Sequence, residues 1–118
     1  MLPEADILSF HCPLTPENKD ILNVDAIANM KTGAVVVNTA RGKLINELAL
    51  YDALKSGKLR MAALDVHYEE PISQDYLLAT LDNVILTPHI AGLSCEAFHA
   101  MMTRAVENIV TFENGVRK

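Results

Sequence analysis

Ala34-Val35-Val36-Val37-Asn38-Thr39 is a continuous apolar run, rich in β-branched residues, that closes on two polar side chains. Such a stretch suits a strand buried on both faces, as in a parallel sheet covered by helices. Working outward, Lys31-Thr32-Gly33 separates it from a short helix predicted from Asn23, as cap, through Met30, with Val24, Ile27 and Met30 on one face. Before that, Ala5-Asp6-Ile7-Leu8-Ser9-Phe10-His11 is a second apolar run, stopped by Cys12-Pro13. Proline disfavours helix at the residue before it, so a strand ending there is predicted. On the other side, Asn46 caps a helix predicted over 47–56, with Leu48, Tyr51 and Leu54 along one face and Gly57 as its stop. A third strand is predicted over 60–66 and a fourth over 83–88. One long helix follows from about Ser94 to Asn114, closed by Gly115 and a basic tail, Arg117-Lys118. Strands separated by helical crossovers imply parallel pairing and an α/β layered fold.

The chain has 118 residues, 50% hydrophobic and 21% charged, with a net charge of −5. That balance is too apolar for disorder, and the length suits a single domain. No Lys/Arg stripe exists to meet nucleic acid or an anionic membrane. The longest apolar run falls far short of the roughly 20 residues a membrane-spanning helix needs. An acidic start, Met1-Leu2-Pro3-Glu4-Ala5-Asp6, does not read as a signal peptide. Two cysteines, Cys12 and Cys95, make no disulfide framework and suit a reducing cytosol, so a cytoplasmic location is expected.

The chemistry gathers at the strands' carboxyl ends: His11-Cys12-Pro13, then Thr39-Ala40-Arg41-Gly42, then Asp65 with Glu69-Glu70-Pro71, then Thr87-Pro88-His89. In an open parallel sheet the ligand crevice lies outside those ends. The set contains a proton carrier (His), a carboxylate able to orient it, and a planar cation able to grip a carboxylate (Arg). Each residue also has an ordinary reading. A lone histidine after a strand is as often a plain loop residue, and Arg41 can pair structurally with Asp65 or Glu70. His67 has no evident role. His11 beside Cys12 lacks further ligands at close spacing, so no metal site is expected. Cys12 as a nucleophile lacks both a base partner and an oxyanion motif.

Taken together, His11-Cys12-Pro13-Leu14-Thr15, Asn38-Thr39-Ala40-Arg41-Gly42, Ala63-Leu64-Asp65-Val66 with Glu69-Glu70-Pro71, and Thr87-Pro88-His89-Ile90-Ala91-Gly92 closely resemble the D-isomer-specific 2-hydroxyacid dehydrogenase family, the phosphoglycerate, glycerate and D-lactate dehydrogenases among them. The resemblance implies an oxidoreductase moving a hydride between NAD and a D-2-hydroxy acid or 2-keto acid, with NADP not excluded. It implies that Arg41 grips the substrate carboxylate and carbonyl, that His89 is the general acid/base, and that Glu70, rather than Glu69, is its acid partner. Cys12, Pro13, Asn18, Thr39 and Ala40 resemble positions that line the cofactor, with Arg41 and His89 beside it, Asp65 near the nicotinamide carboxamide and Gly92 closing that side. Asn46 stands where the family commonly has Asp, and still caps its helix.

The resemblance also implies what to look for elsewhere. The five glycines, Gly33, Gly42, Gly57, Gly92 and Gly115, form no G-x-G-x-x-G. The fold expected is therefore a partial Rossmann-type doubly wound parallel sheet, truncated at its N-terminal side. It would be one domain over 1–118, the second half of an NAD-binding domain, with the helix from about 94 to 118 leading back towards a substrate domain. An inactive isolated chain is expected, or alternatively a non-catalytic remnant or oligomerising interaction module that keeps the fold without binding NAD productively. An exposed sheet edge and an apolar helix imply a homodimer or larger homo-oligomer.

Overall fold

The computed structural model describes residues 1–113 and 115. Four parallel strands, β1 (Ile7–Phe10), β2 (Ala34–Asn38), β3 (Leu59–Leu64) and β4 (Val84–Leu86), lie in the order β1-β2-β3-β4. Helix α1 (Val24–Ala28) connects β1 to β2, and α2 (Glu47–Lys55) connects β2 to β3. A single 3₁₀ turn, Leu77–Thr80, stands between β3 and β4, and α3 (Cys95–Glu113) follows. This is the parallel α/β arrangement that the alternation of strands and helices predicts, and the partial Rossmann-type sheet that the resemblance implies.

Local chemistry explains the boundaries. Asn23 and Asn46 each accept a hydrogen bond from a first-turn amide, Ala26 N and Ala49 N, both at 3.0 Å. The Lys58 ammonium donates to Ala28 O and Met30 O, satisfying carbonyls that the end of α1 leaves open. α1 is shorter than predicted, and Val24 at its start is exposed while Ile27 and Met30 are buried.

The α2 face also differs from the prediction. Leu48 is exposed and Tyr51 half-buried, whereas Ala49, Leu50, Ala53 and Leu54 go inward. The two alanines let the helix approach the sheet closely, which a reading weighted to large residues passes over. The sheet is likewise less enclosed than expected. Ala34, Val36 and Asn38 of β2 are buried, but Val35 and Val37 on the opposite face are only half-buried. The core is one cluster, in which Leu22, Val36, Leu44, Leu50, Leu59, Ala62 and Leu78 are almost wholly enclosed.

α3 packs on none of this, since no residue in it is buried. The radius of gyration, 17.8 Å, accordingly exceeds the roughly 13.5 Å of a compact chain of this length. The predicted boundary residue Asn114 and the basic pair Arg117-Lys118 lie outside the described residues. Gly115, at φ +74°, donates its amide to Phe112 O at 3.1 Å.

What positions the functional rim is the close approach of two loops. A 3₁₀ turn, Gly42–Leu44, presses against the chain leaving β3, and a Cβ at residue 42 would drive into the His67 carbonyl. Gly42→Ala is therefore expected to lower the unfolding free energy by about 1–3 kcal/mol, the usual cost of overpacking. Urea denaturation measures it, and an unchanged midpoint would mean that the two loops do not meet this closely.

Candidate active site

The last residues of the four strands lie in one line of register: Phe10 beside Asn38, Asn38 beside Leu64, Leu64 beside Leu86. Because all four run parallel, the segments that leave them (11–15, 39–43, 65–71 and 87–92) share one rim. A cavity of about 250 Å³ opens there, lined by Leu14, Arg41, Gly42, Lys43, Val66, His67, Tyr68, Glu70 and His89. The three residues predicted to be catalytic, Arg41, Glu70 and His89, thus line a single space. A larger recess of about 420 Å³ beside Asn46, Glu47 and Tyr76 holds none of the predicted site residues. The chemistry, rather than the size, identifies the smaller one.

Glu70 and His89 form the centre. His89 Nδ1 lies 2.8 Å from Glu70 Oε2, and because a carboxylate only accepts, Nδ1–H is the donor. The second carboxylate oxygen, Oε1, accepts from the His67 amide at 2.9 Å. Hydrogen bonds from His89 and the His67 amide hold the Glu70 carboxyl below its ordinary 4.5, against a smaller opposing effect of burial. His89 itself sits at φ +56°, a left-handed conformation that a non-glycine residue adopts only when its surroundings impose it. With Nδ1 engaged, Nε2 is the ring nitrogen left for a substrate. The ring remains about half exposed.

Asp65 lies behind this loop, buried. Its Oδ1 accepts from Thr87 Oγ1 at 2.5 Å and from Ile90 N at 2.9 Å, and its Oδ2 from Ala91 N at 2.8 Å. Burial pushes the Asp65 carboxyl upward, but the bonds from Thr87, Ala91 and Ile90 outweigh it and leave the group below its ordinary 3.8. The His67 ring is buried edge-on to Tyr76, its Nε2 2.9 Å from Thr87 O and its Nδ1 without a partner among the described residues.

On the β2 side, Asn38 is buried and does for Arg41 what Asp65 does for the His89 loop. Ala40 N donates to its Oδ1 at 3.0 Å, and its Nδ2 donates to Arg41 O at 2.9 Å. The Arg41 guanidinium donates to Ala40 O and, among the described residues, pairs with no carboxylate. The structural pairing with Asp65 or Glu70 that the sequence also allowed is not formed.

The remaining predicted residues divide. Cys12, Pro13 and Thr39 are exposed and Ala40 half-buried along the same rim, a shelf of small side chains, and Gly92 is exposed beyond the His89 loop. The Asn18 amide is occupied within its own turn, accepting from Thr15 N and donating to Pro13 O. Asn38 and Thr87 stand in the strand-end motifs with no role of their own assigned, and His67 is the loop residue for which the sequence offers none. Their signal was a polar residue at or just past the end of an apolar strand.

Because Asp65 is more acidic folded than unfolded, it contributes stability in full above about its ordinary 3.8 and loses it as pH falls through the lower native value. Asp65→Asn is expected to flatten the acid limb of a urea-midpoint-versus-pH curve below about pH 4. An acid limb identical in the two proteins would contradict the network.

Residues 1–91 match a family model described as the NAD binding domain of D-isomer specific 2-hydroxyacid dehydrogenase. D-3-phosphoglycerate dehydrogenase of Methanocaldococcus jannaschii is 52% identical over 105 residues, covering 89% of this chain and 20% of that protein. The crystal structure of D-lactate dehydrogenase with NAD⁺ from Lactobacillus jensenii aligns with TM-score 0.91 and 33% identity, covering 98% of this chain and 39% of that one. A D-isomer specific 2-hydroxyacid dehydrogenase from Xanthobacter autotrophicus, in complex with NADPH, aligns with TM-score 0.87 and 36% identity over 98% of this chain and 47% of that one. The chain spans 20–37% of the length of the first curated relatives it matches.

Proposed function

The chain belongs to the D-isomer-specific 2-hydroxyacid dehydrogenase family, within its NAD-binding domain, and we propose that it carries the proton-transfer and substrate-gripping residues of an enzyme that interconverts a D-2-hydroxy acid and its 2-keto acid. The observation that carries this reading is the Glu70–His89 pair on the cavity that Arg41 also lines. Arg41 has no carboxylate partner in the fold among the described residues, so its planar cation is available to a substrate carboxylate. In reduction, His89 Nε2 delivers a proton to the keto oxygen. In oxidation it removes the hydroxyl proton, and the Glu70 carboxylate stabilises the imidazolium so formed.

The cofactor fits one end of this site. Cys12, Pro13 and Thr39, exposed, and Ala40, half-buried, put small side chains on the rim past β1 and β2, where the nicotinamide ring is placed in this reading, with the exposed Gly92 in the loop past β4. The first glycine of the 118 residues is Gly33, and no glycine-rich turn follows β1 to take a pyrophosphate. When bound, NAD or NADP supplies or accepts the hydride. The residues here make up the second half of such a nucleotide domain, with α3 leading towards a substrate domain.

Isolated, the chain is expected to show negligible turnover of hydroxypyruvate or glyoxylate. The missing glycine turn also favours a second reading, a fold that binds no NAD productively. Titration of NADH fluorescence distinguishes the two: saturable binding supports the enzyme half, and no binding at millimolar cofactor leaves the remnant. The free edge of β1 and the unburied apolar residues of α3 support self-association through a second copy of the chain, in the cytoplasm, where the exposed Cys12 and Cys95 stay reduced. Light scattering is expected to report a dimer or larger, and a strict monomer at micromolar concentration would contradict that part.

Catalysis is best tested with residues 1–113 replacing the corresponding segment of the Methanocaldococcus jannaschii relative. In such a chimera His89→Ala is expected to lower kcat by about 10²–10⁴-fold, the contribution of a positioned proton donor. Arg41→Lys should chiefly raise KM, since lysine cannot make a planar two-point contact. Near-normal kcat in the first variant, or unchanged KM and kcat in the second, would refute the assigned role.

A further inference from the structure

Holding His89 at φ +56° needs a cause, and the ring's bond to Glu70 does not supply one. That bond fixes the side chain and leaves the main chain open to relax. The cause lies one layer deeper, at a buried group that does not line the cavity. Ile90 and Ala91 present two successive amides to one carboxylate, and successive backbone N–H groups beside a left-handed residue form a concavity that takes an anion. Asp65 is that anion. It is buried, its two oxygens receive three donors, and it follows directly on β3, so the sheet fixes its position.

We propose that Asp65 is the positioning residue of the acid/base histidine: seated between the Ile90 and Ala91 amides and tied to Thr87, its carboxylate imposes the backbone from which His89 meets Glu70. The proposal rests on reading His89 as the acid/base. It extends the part that family resemblance gives Asp65, beside the nicotinamide, because those three donors already occupy the carboxylate inside the protein. Neutral substitutes reproduce little of this. Asparagine keeps only one acceptor oxygen, and its NH₂ group would face an amide that also donates.

Nuclear magnetic resonance on the 118-residue chain tests this without cofactor or substrate, so its outcome is independent of whether the chain binds NAD or turns over. In Asp65→Asn, the Ile90 and Ala91 amides are expected to exchange about tenfold faster or more, the loss of a hydrogen bond to a charged group. The amides of Val36 and Ala62 should keep their protection, showing that the sheet stands. The discriminating readout is the Glu70 carboxyl carbon. Removing the negative charge of Asp65 would by itself lower the Glu70 titration midpoint. Loss of His89 from its partner would raise it, towards the value measured in His89→Ala. A rise is expected.

If Asp65→Asn does not fold, Thr87→Val removes one donor and leaves the carboxylate. The same amides should then exchange faster by a smaller factor, with the Asp65 carboxyl titrating higher than in the parent chain. Unchanged Ile90 and Ala91 exchange with a fixed or lowered Glu70 midpoint would overturn the proposal, and so would unchanged exchange in Thr87→Val.

Discussion

The four strands of this sheet end in register, Phe10, Asn38, Leu64 and Leu86 side by side, and the site depends on that line. Parallel pairing sends every chain out of the sheet at the same edge. An in-register finish means that the residues one to six positions past each strand share one neighbourhood. Arg41, Glu70 and His89, 48 residues apart in sequence from first to last, meet on one cavity for this reason. A one-residue slip of β4 against β3 would turn its side chains to the opposite face and carry the His89 loop with them.

The rim is then made rigid from behind. Two buried polar residues at the strand ends, Asn38 and Asp65, use their side chains on the loops that follow. Burying such groups is costly unless each polar atom finds a partner. Here each does, and apart from the Thr87 hydroxyl the partners are main-chain groups of residues 40, 41, 90 and 91. The same condition that makes the burial tolerable therefore fixes the loop backbones. The links continue between neighbouring loops, where Leu22 pairs with Ile45, Asp65 N donates to Asn38 O and Thr87 N donates to Leu64 O. Arg41, Glu70 and His89 line the cavity on that frame, where the Arg41 guanidinium also donates to Ala40 O and the Glu70 carboxylate also accepts from the His67 amide.

Much of this was legible in the sequence. The runs 34–39 and 5–11, the asparagine caps at 23 and 46, and the stop at Gly57 follow from local rules of propensity and capping, and the structure places β1, β2 and the caps of α1 and α2 within them. Legibility failed where tertiary packing decides. Leu48 and Tyr51 stand on the larger apolar face of α2 by residue size, yet Ala49 and Ala53 face the sheet, because close approach requires small side chains there. The half-open second face of β2 depends on what covers it, which β-branched residues alone do not reveal. At the site, motif order named Arg41, Glu70 and His89. The loops' internal ties, Asn38, His67 and Thr87, are visible only once the strand ends are side by side.

The 118-residue chain holds His89 with its Nδ1–H directed at Glu70 before any ligand is bound. A long-range ¹H–¹⁵N spectrum of the His89 ring, recorded with the imidazole neutral, tests that directly. The tautomer protonated on Nδ1, with Nε2 bare, is expected, and reversion towards the distribution of free histidine in Glu70→Gln. An Nε2-protonated ring in the parent chain, indifferent to residue 70, would contradict it.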